Sequence, residues 1–142
     1  GVDSRAYLDL AIARGRVMLD RIDAEEPCDT LRRLGGSRSI PSHVRQSAAR
    51  WTIECQRKMG RPPSELDEAR DALKVACPPG DADGAIYLNL AELDDALLAG
   101  NDDSVREIVE RLLATGESLA KRLLQGDSAT DRARHLVLHY PY

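Results

Sequence analysis

"RKMGRPPSELDEAR", residues 57–70, sets a basic segment, a Gly-Arg-Pro-Pro turn and a new helix start side by side. Gly60 suits the left-handed position that closes a helix. Pro62 and Pro63 bar that helix from continuing, because proline lacks the amide donor and its ring clashes with the preceding turn. Ser64 is placed to cap the helix that follows, and Glu65, Asp67 and Glu68 suit its positive N-terminal end. The stretch reads as a joint between two helices, and the chain on either side of it follows the same rule.

Upstream, Ser42 is placed to cap a helix running to about Met59, with Val44, Ala48, Trp51, Cys55 and Met59 as its apolar stripe. Residues 5–24 read as an amphipathic helix whose stripe is Leu8, Ala11, Ile12, Met18, Leu19 and Ile22. Between them, Pro27 and Asp29 start a short helical piece that Gly35-Gly36 stops. Downstream of the joint, the helix begun near Ser64 runs to about Ala76, and "CPPGDADG" (77–84) reads as a loop. Residues 84–99 are apolar on most of their circumference and predict a central, well-covered helix. Val105, Ile108, Leu112, Thr115, Leu119 and Leu123 recur at heptad-like spacing, so 103–125 reads as one long helix ending at Gly126. Ser128 and Asp131 resemble a capping box before a last helix over 129–140.

No strand pattern stands out beyond a weak one in "HLVLHY" (135–140). The expected fold is therefore all-α: one domain over residues 1–142, a compact bundle of about five to six helices built from hairpins, with 1–3 and 141–142 as fraying ends. A chain of this length buries enough surface to fold without metal or disulfide. The three cysteines, Cys28, Cys55 and Cys77, are odd in number and lack CxxC spacing. That pattern predicts reduced thiols and a cytoplasmic location. No apolar run approaches a membrane span, and no leader pattern opens the chain. Seventeen arginines against three lysines, with no phenylalanine, suggest a high-GC bacterial or phage coding background.

The net charge of −4 conceals an asymmetry. Residues 30–63 carry eight basic side chains against the single acid Glu54, whereas residues 65–110 carry thirteen acids against Arg70, Lys74 and Arg106. Such opposed fields can steer partners. Within the basic segment, the Gly60-Arg61-Pro62 core resembles an AT-hook. "GRPP" ahead of a helix also resembles the arm of serine-recombinase DNA-binding domains. Either resemblance implies an arginine entering a narrow minor groove. The acidic residues after Ser64 would repel phosphates, which favours the joint. Arg45, Arg50, Arg57, Lys58 and Arg61 are the candidate residues for binding a partner or nucleic acid. Ser104–Leu124 also fits a helix-turn-helix at several apolar positions. Val109 sits there where a small residue belongs, and Leu113 where the turn wants glycine.

Chemistry finds little support. His135 and His139 stand one helical turn apart and could offer two metal ligands, fewer than the three or four that zinc takes. No P-loop, GxGxxG or GxSxG motif occurs, so no cofactor and no hydrolase nucleophile is expected. Cys55 beside Trp51 reads as a buried, inert thiol. The expectation is a non-enzymatic helical interaction or regulatory module that binds a protein partner or a second copy of itself. The alternatives are a DNA-binding regulator using the arginine-rich face of residues 32–61, and an enzyme with an unfamiliar helical pocket.

Overall fold

The structure is a computed structural model that describes residues 2–22 and 25–125. Six helices and no strand occur among them: α1 Val2–Met18, α2 Glu26–Gly36, α3 Ser42–Lys58, α4 Pro63–Ala76, α5 Ala82–Ala99 and α6 Asp102–Gln125. The fold is all-α, as the periodicity indicates. The chain divides into two compact units, Gly1–Pro78 and Pro79–Tyr142. The first holds α1–α4 as a four-helix bundle, and the second contains the α5–α6 hairpin.

In the first unit α3 is the hub, packed against α1, α2 and α4, and twelve of its seventeen residues are buried, so hardly any of its surface is left to solvent. The core around it comprises Ala6, Leu10, Ala13, Val17, Cys28, Leu31, Leu34, Val44, Ala48, Trp51 and Cys55. Trp51 is thus a core anchor, one of its ordinary roles. Gly35 sits where α2 meets α3 most tightly, because a β-carbon there would lie 3.3 Å from Cα of Ala49. At the other end of the same helix pair Cys28 and Cys55 are joined in a disulfide, with their Cα atoms 5.7 Å apart. This corrects the expectation of three reduced thiols. The odd count of cysteines concealed one pair plus Cys77, which is buried and takes no part in the bridge.

The helix ends depart from the sequence reading in instructive ways. Helix α1 stops at Met18 rather than near residue 24, because Asp20 takes a left-handed conformation (φ 55°). Asp20 N–H then bonds to Val17 O and Arg21 N–H to Arg16 O, the paired closure of a Schellman motif. Gly60 closes α3 the same way: its N–H bonds to Arg57 O, and Arg61 N–H bonds to Gln56 O. "GRPP" is therefore a helix-to-helix joint. Ser42 and Ser64 do not cap. Each falls inside its helix, and Pro41 and Pro62 hold the capping positions without a side-chain bond. Prolines already suit these positions, since the first amides of a helix have no partner within it.

Helix α5 begins two residues earlier than expected. Asp81 caps α5, its carboxylate accepting from the amides of Asp83 and Gly84 at 3.1 Å each, so the last residues of "CPPGDADG" are helical. Gly100 (φ 68°) closes α5, and the Asn101 side chain accepts from Ser104 N–H as α6 begins. Helix α5 buries Ile86, Tyr87 and Leu90, but Leu97 and Leu98 are exposed, so its cover stops short of its C-terminus. Helix α6 runs unbroken from Asp102 to Gln125, which removes the helix-turn-helix reading. Ile108 is buried, and Leu113, where a turn would need to be, is an exposed residue in mid-helix. The expected helix over 129–140 and its histidines His135 and His139 lie outside the described residues.

Candidate functional site

The five basic candidates do not form one open face. Arg50 is 4% exposed, and its guanidinium carbon stacks 4.4 Å from the ring centroid of Trp51. Such stacking suits a planar, weakly hydrated cation in a protected place. Arg57 pairs with Glu54 one turn back at 2.7 Å. The Lys58 ammonium donates to Val17 O at 3.0 Å and to the Asp20 carboxylate at 2.6 Å. It thereby caps the C-terminal end of α1, where a cation is favoured. Arg61 pairs with Glu25, just ahead of α2, and lies 3.9 Å from Glu65 in α4. Lys58 and Arg61 therefore tie different elements of the bundle together, while Arg57 is held within α3 itself. Arg45 differs. It is half-buried and lines a recess of about 480 Å³ with Arg38, Gly35, Gly36, Ala72, Val75 and Ala76.

A second recess, of about 280 Å³, opens between α2, α3 and α4. Its floor is small and apolar (Gly35, Ala49, Ala69, Ala72), and Arg32, Gln56, Glu65 and Glu68 edge it. With its amide turned to suit its neighbours, Gln56 donates to Glu65 O and accepts from Arg32, both at 3.2 Å. The Gln56 amide is thus satisfied at the edge of the recess. No group of three metal-ligating side chains occurs among the described residues.

Sequence reasoning missed a surface on α1. Most of the stripe expected to face the core is left in solvent: Leu8 is 50% exposed, Ile12 54%, Met18 47% and Leu19 69%, while Ile22, beyond the helix, does pack against the core. Ala6, Leu10, Ala13 and Val17, on the opposite side of the helix, are buried instead. Both stripes repeat at helical spacing, so periodicity alone does not say which turns inward. The inward one is made of smaller side chains and lets α1 approach α2 and α3. Leu8, Ile12, Gly15 and Leu19 stand at i, i+4, i+7 and i+11 and form a nearly straight ridge, with Gly15 as a notch that has nothing within 4 Å of a would-be β-carbon.

Beside the ridge runs a groove of about 300 Å³ between α1 and α2, lined by Arg5, Asp9, Ile12, Ala13, Arg16, Glu26, Pro27, Thr30 and Arg33. Asp9 serves two arginines, Arg5 at 3.1 Å and Arg33 at 3.5 Å, while Arg16 lies 3.5 Å from Glu26. Asp9 thus answers two guanidiniums with one charge. Among the described residues no helix is long and apolar enough to cross a membrane. No protein-family model matches the chain, and neither does a curated protein or a solved structure.

Proposed function

We propose that the chain is a non-enzymatic helical interaction module, with the outer face of α1 as its docking surface. The observation that carries this reading is the exposure of Leu8 and Ile12 on a helix whose opposite face is already packed, continued by Leu19 in the turn that closes it. Burying a leucine or isoleucine side chain contributes about 1.5–3 kcal/mol, so a ridge of three or four leaves a substantial gain to be realised by a partner. Scattered apolar residues on a surface need no explanation; an aligned row does.

The DNA-binding alternative draws on residues that are mostly engaged elsewhere. Arg50 is in the core, and Arg57, Lys58 and Arg61 hold acids of the same chain. The cysteines bear on location. A buried Cys28–Cys55 bridge supports an oxidising compartment over the cytoplasmic one that the cysteine count suggested.

Photocrosslinking tests the docking face. A benzophenone residue at position 12, in cells that make the protein, is expected to give discrete crosslinked products. The same probe at position 29, an exposed polar site on α2, is expected to give none. Equal labelling from both positions, or none from position 12, would count against the reading.

A further inference from the structure

We infer that the partner of the α1 face is an amphipathic helix of another protein whose apolar stripe is edged by carboxylates. The inference rests on the docking face proposed above and adds the chemistry of its occupant.

Shape selects a helix. The row Leu8, Ile12, Gly15, Leu19 alternates steps of four and three residues, the spacing that keeps one seam turned to a partner helix, and the notch at Gly15 admits a close backbone approach. Met18, beside the row, is unbranched and adapts to an irregular counterpart.

Charge selects the edge. Ile12 belongs to both the ridge and the groove beside it, so a helix seated on the ridge lays one flank over Arg5, Arg16 and Arg33. Asp9 is largely enclosed, with its side chain 15% exposed, and both its oxygens are taken, one by Arg5 and one by Arg33. Those two arginine side chains are themselves 75% and 63% exposed, leaving N–H groups turned to solvent. A glutamate or aspartate on the incoming flank takes these donors and completes the neutralisation that a single carboxylate leaves half done. A second copy of α1 is the wrong occupant: an antiparallel pair sets arginine edge against arginine edge, and a parallel pair sets it against Ser4, Ala11 and Met18, which offer no carboxylate. An anionic bilayer is also disfavoured, as the ridge carries no tryptophan or phenylalanine to seat at the interface.

The test uses the intact protein and two labelled helical peptides that share a leucine stripe, one edged with glutamate and the other with lysine, read by fluorescence anisotropy. The glutamate peptide is expected to bind about tenfold tighter or better. Ile12→Glu is expected to abolish binding of both peptides, and Arg5→Glu with Arg33→Glu to reverse the preference. All three positions are exposed, and circular dichroism verifies that the variants remain helical. Equal binding of both peptides, lost in Ile12→Glu, would overturn the acidic partner and leave the docking face standing. No binding of either peptide would overturn both. Preferential binding to phosphatidylglycerol vesicles would assign the face to a membrane surface and overturn the inference. A concentration-dependent rise in mass by sedimentation, abolished by Ile12→Glu, would assign it to a second copy and overturn it equally.

Discussion

Gly35 and Ala49 are so close that a β-carbon on Gly35 would stand 3.3 Å from Cα of Ala49. This contact and the Cys28–Cys55 bridge fix α2 and α3 at two heights. Going up α2 from Cys28 to Gly35 means going down α3 from Cys55 to Ala49, so the two helices run antiparallel in a single register. The remainder of the first unit is arranged around that pair.

Gly35→Ala is therefore expected to destabilise the protein by about 1–3 kcal/mol, since the helix backbones cannot yield as a flexible side chain would. Gly15→Ala provides the contrast. It lies within α1 with open space around it, and an alanine there should stabilise by about 0.5–1 kcal/mol. Urea unfolding of the two variants reads both signs, and a neutral Gly35→Ala would show that α2 and α3 can move apart.

Loss of the disulfide should be costly. For a sequence separation of 27 residues the loss of unfolded-chain entropy is worth about 3.5 kcal/mol. Replacing Cys28 and Cys55 by serine removes that constraint and also places two hydroxyls among apolar neighbours. The melting temperature should fall in the double variant, and by less in the wild type under a reductant that the buried bridge resists. A wild type that reacts with three equivalents of thiol reagent when unfolded without reductant would refute the bridge.

The basic residues of α3 separate into structural and solvent-facing kinds. Arg50→Ala should cost roughly 2–3 kcal/mol of stability, because it empties a buried position against Trp51. Arg45→Ala, at a half-exposed site, should stay within about 0.5 kcal/mol. Mixed-sequence duplex DNA should not bind at about 50 mM salt. Binding that falls steeply with salt and disappears in Arg45→Ala would revive the DNA reading.

Asp81→Ala should weaken the start of α5 by about 1 kcal/mol, since two backbone donors lose their acceptor. The loss should appear as faster amide exchange in the first turn of α5, with the protection of α3 unchanged. Uniformly faster exchange in both helices would show instead that the two units open together.

Much of this fold is legible along the chain. Glycines at 60 and 100, prolines at 62 and 63 and the Pro-Gly segment after Cys77 punctuate it locally, through steric effects that need no tertiary partner. The heptad spacing across Val105, Ile108, Leu112 and Thr115 likewise gives a single α6. Three features depend on the packed chain. The inward face of α1 was settled by the space between α2 and α3, which suits Ala6, Leu10, Ala13 and Val17 better than the bulkier Leu8–Leu19 row. Cys28 and Cys55 pair because an antiparallel register brings distant positions together, and spacing in sequence does not record that distance. Lys58 and Arg61 became ties to Asp20 and Glu25 for the same reason: a charge in sequence declares its sign, and only the fold supplies the neighbour that uses it.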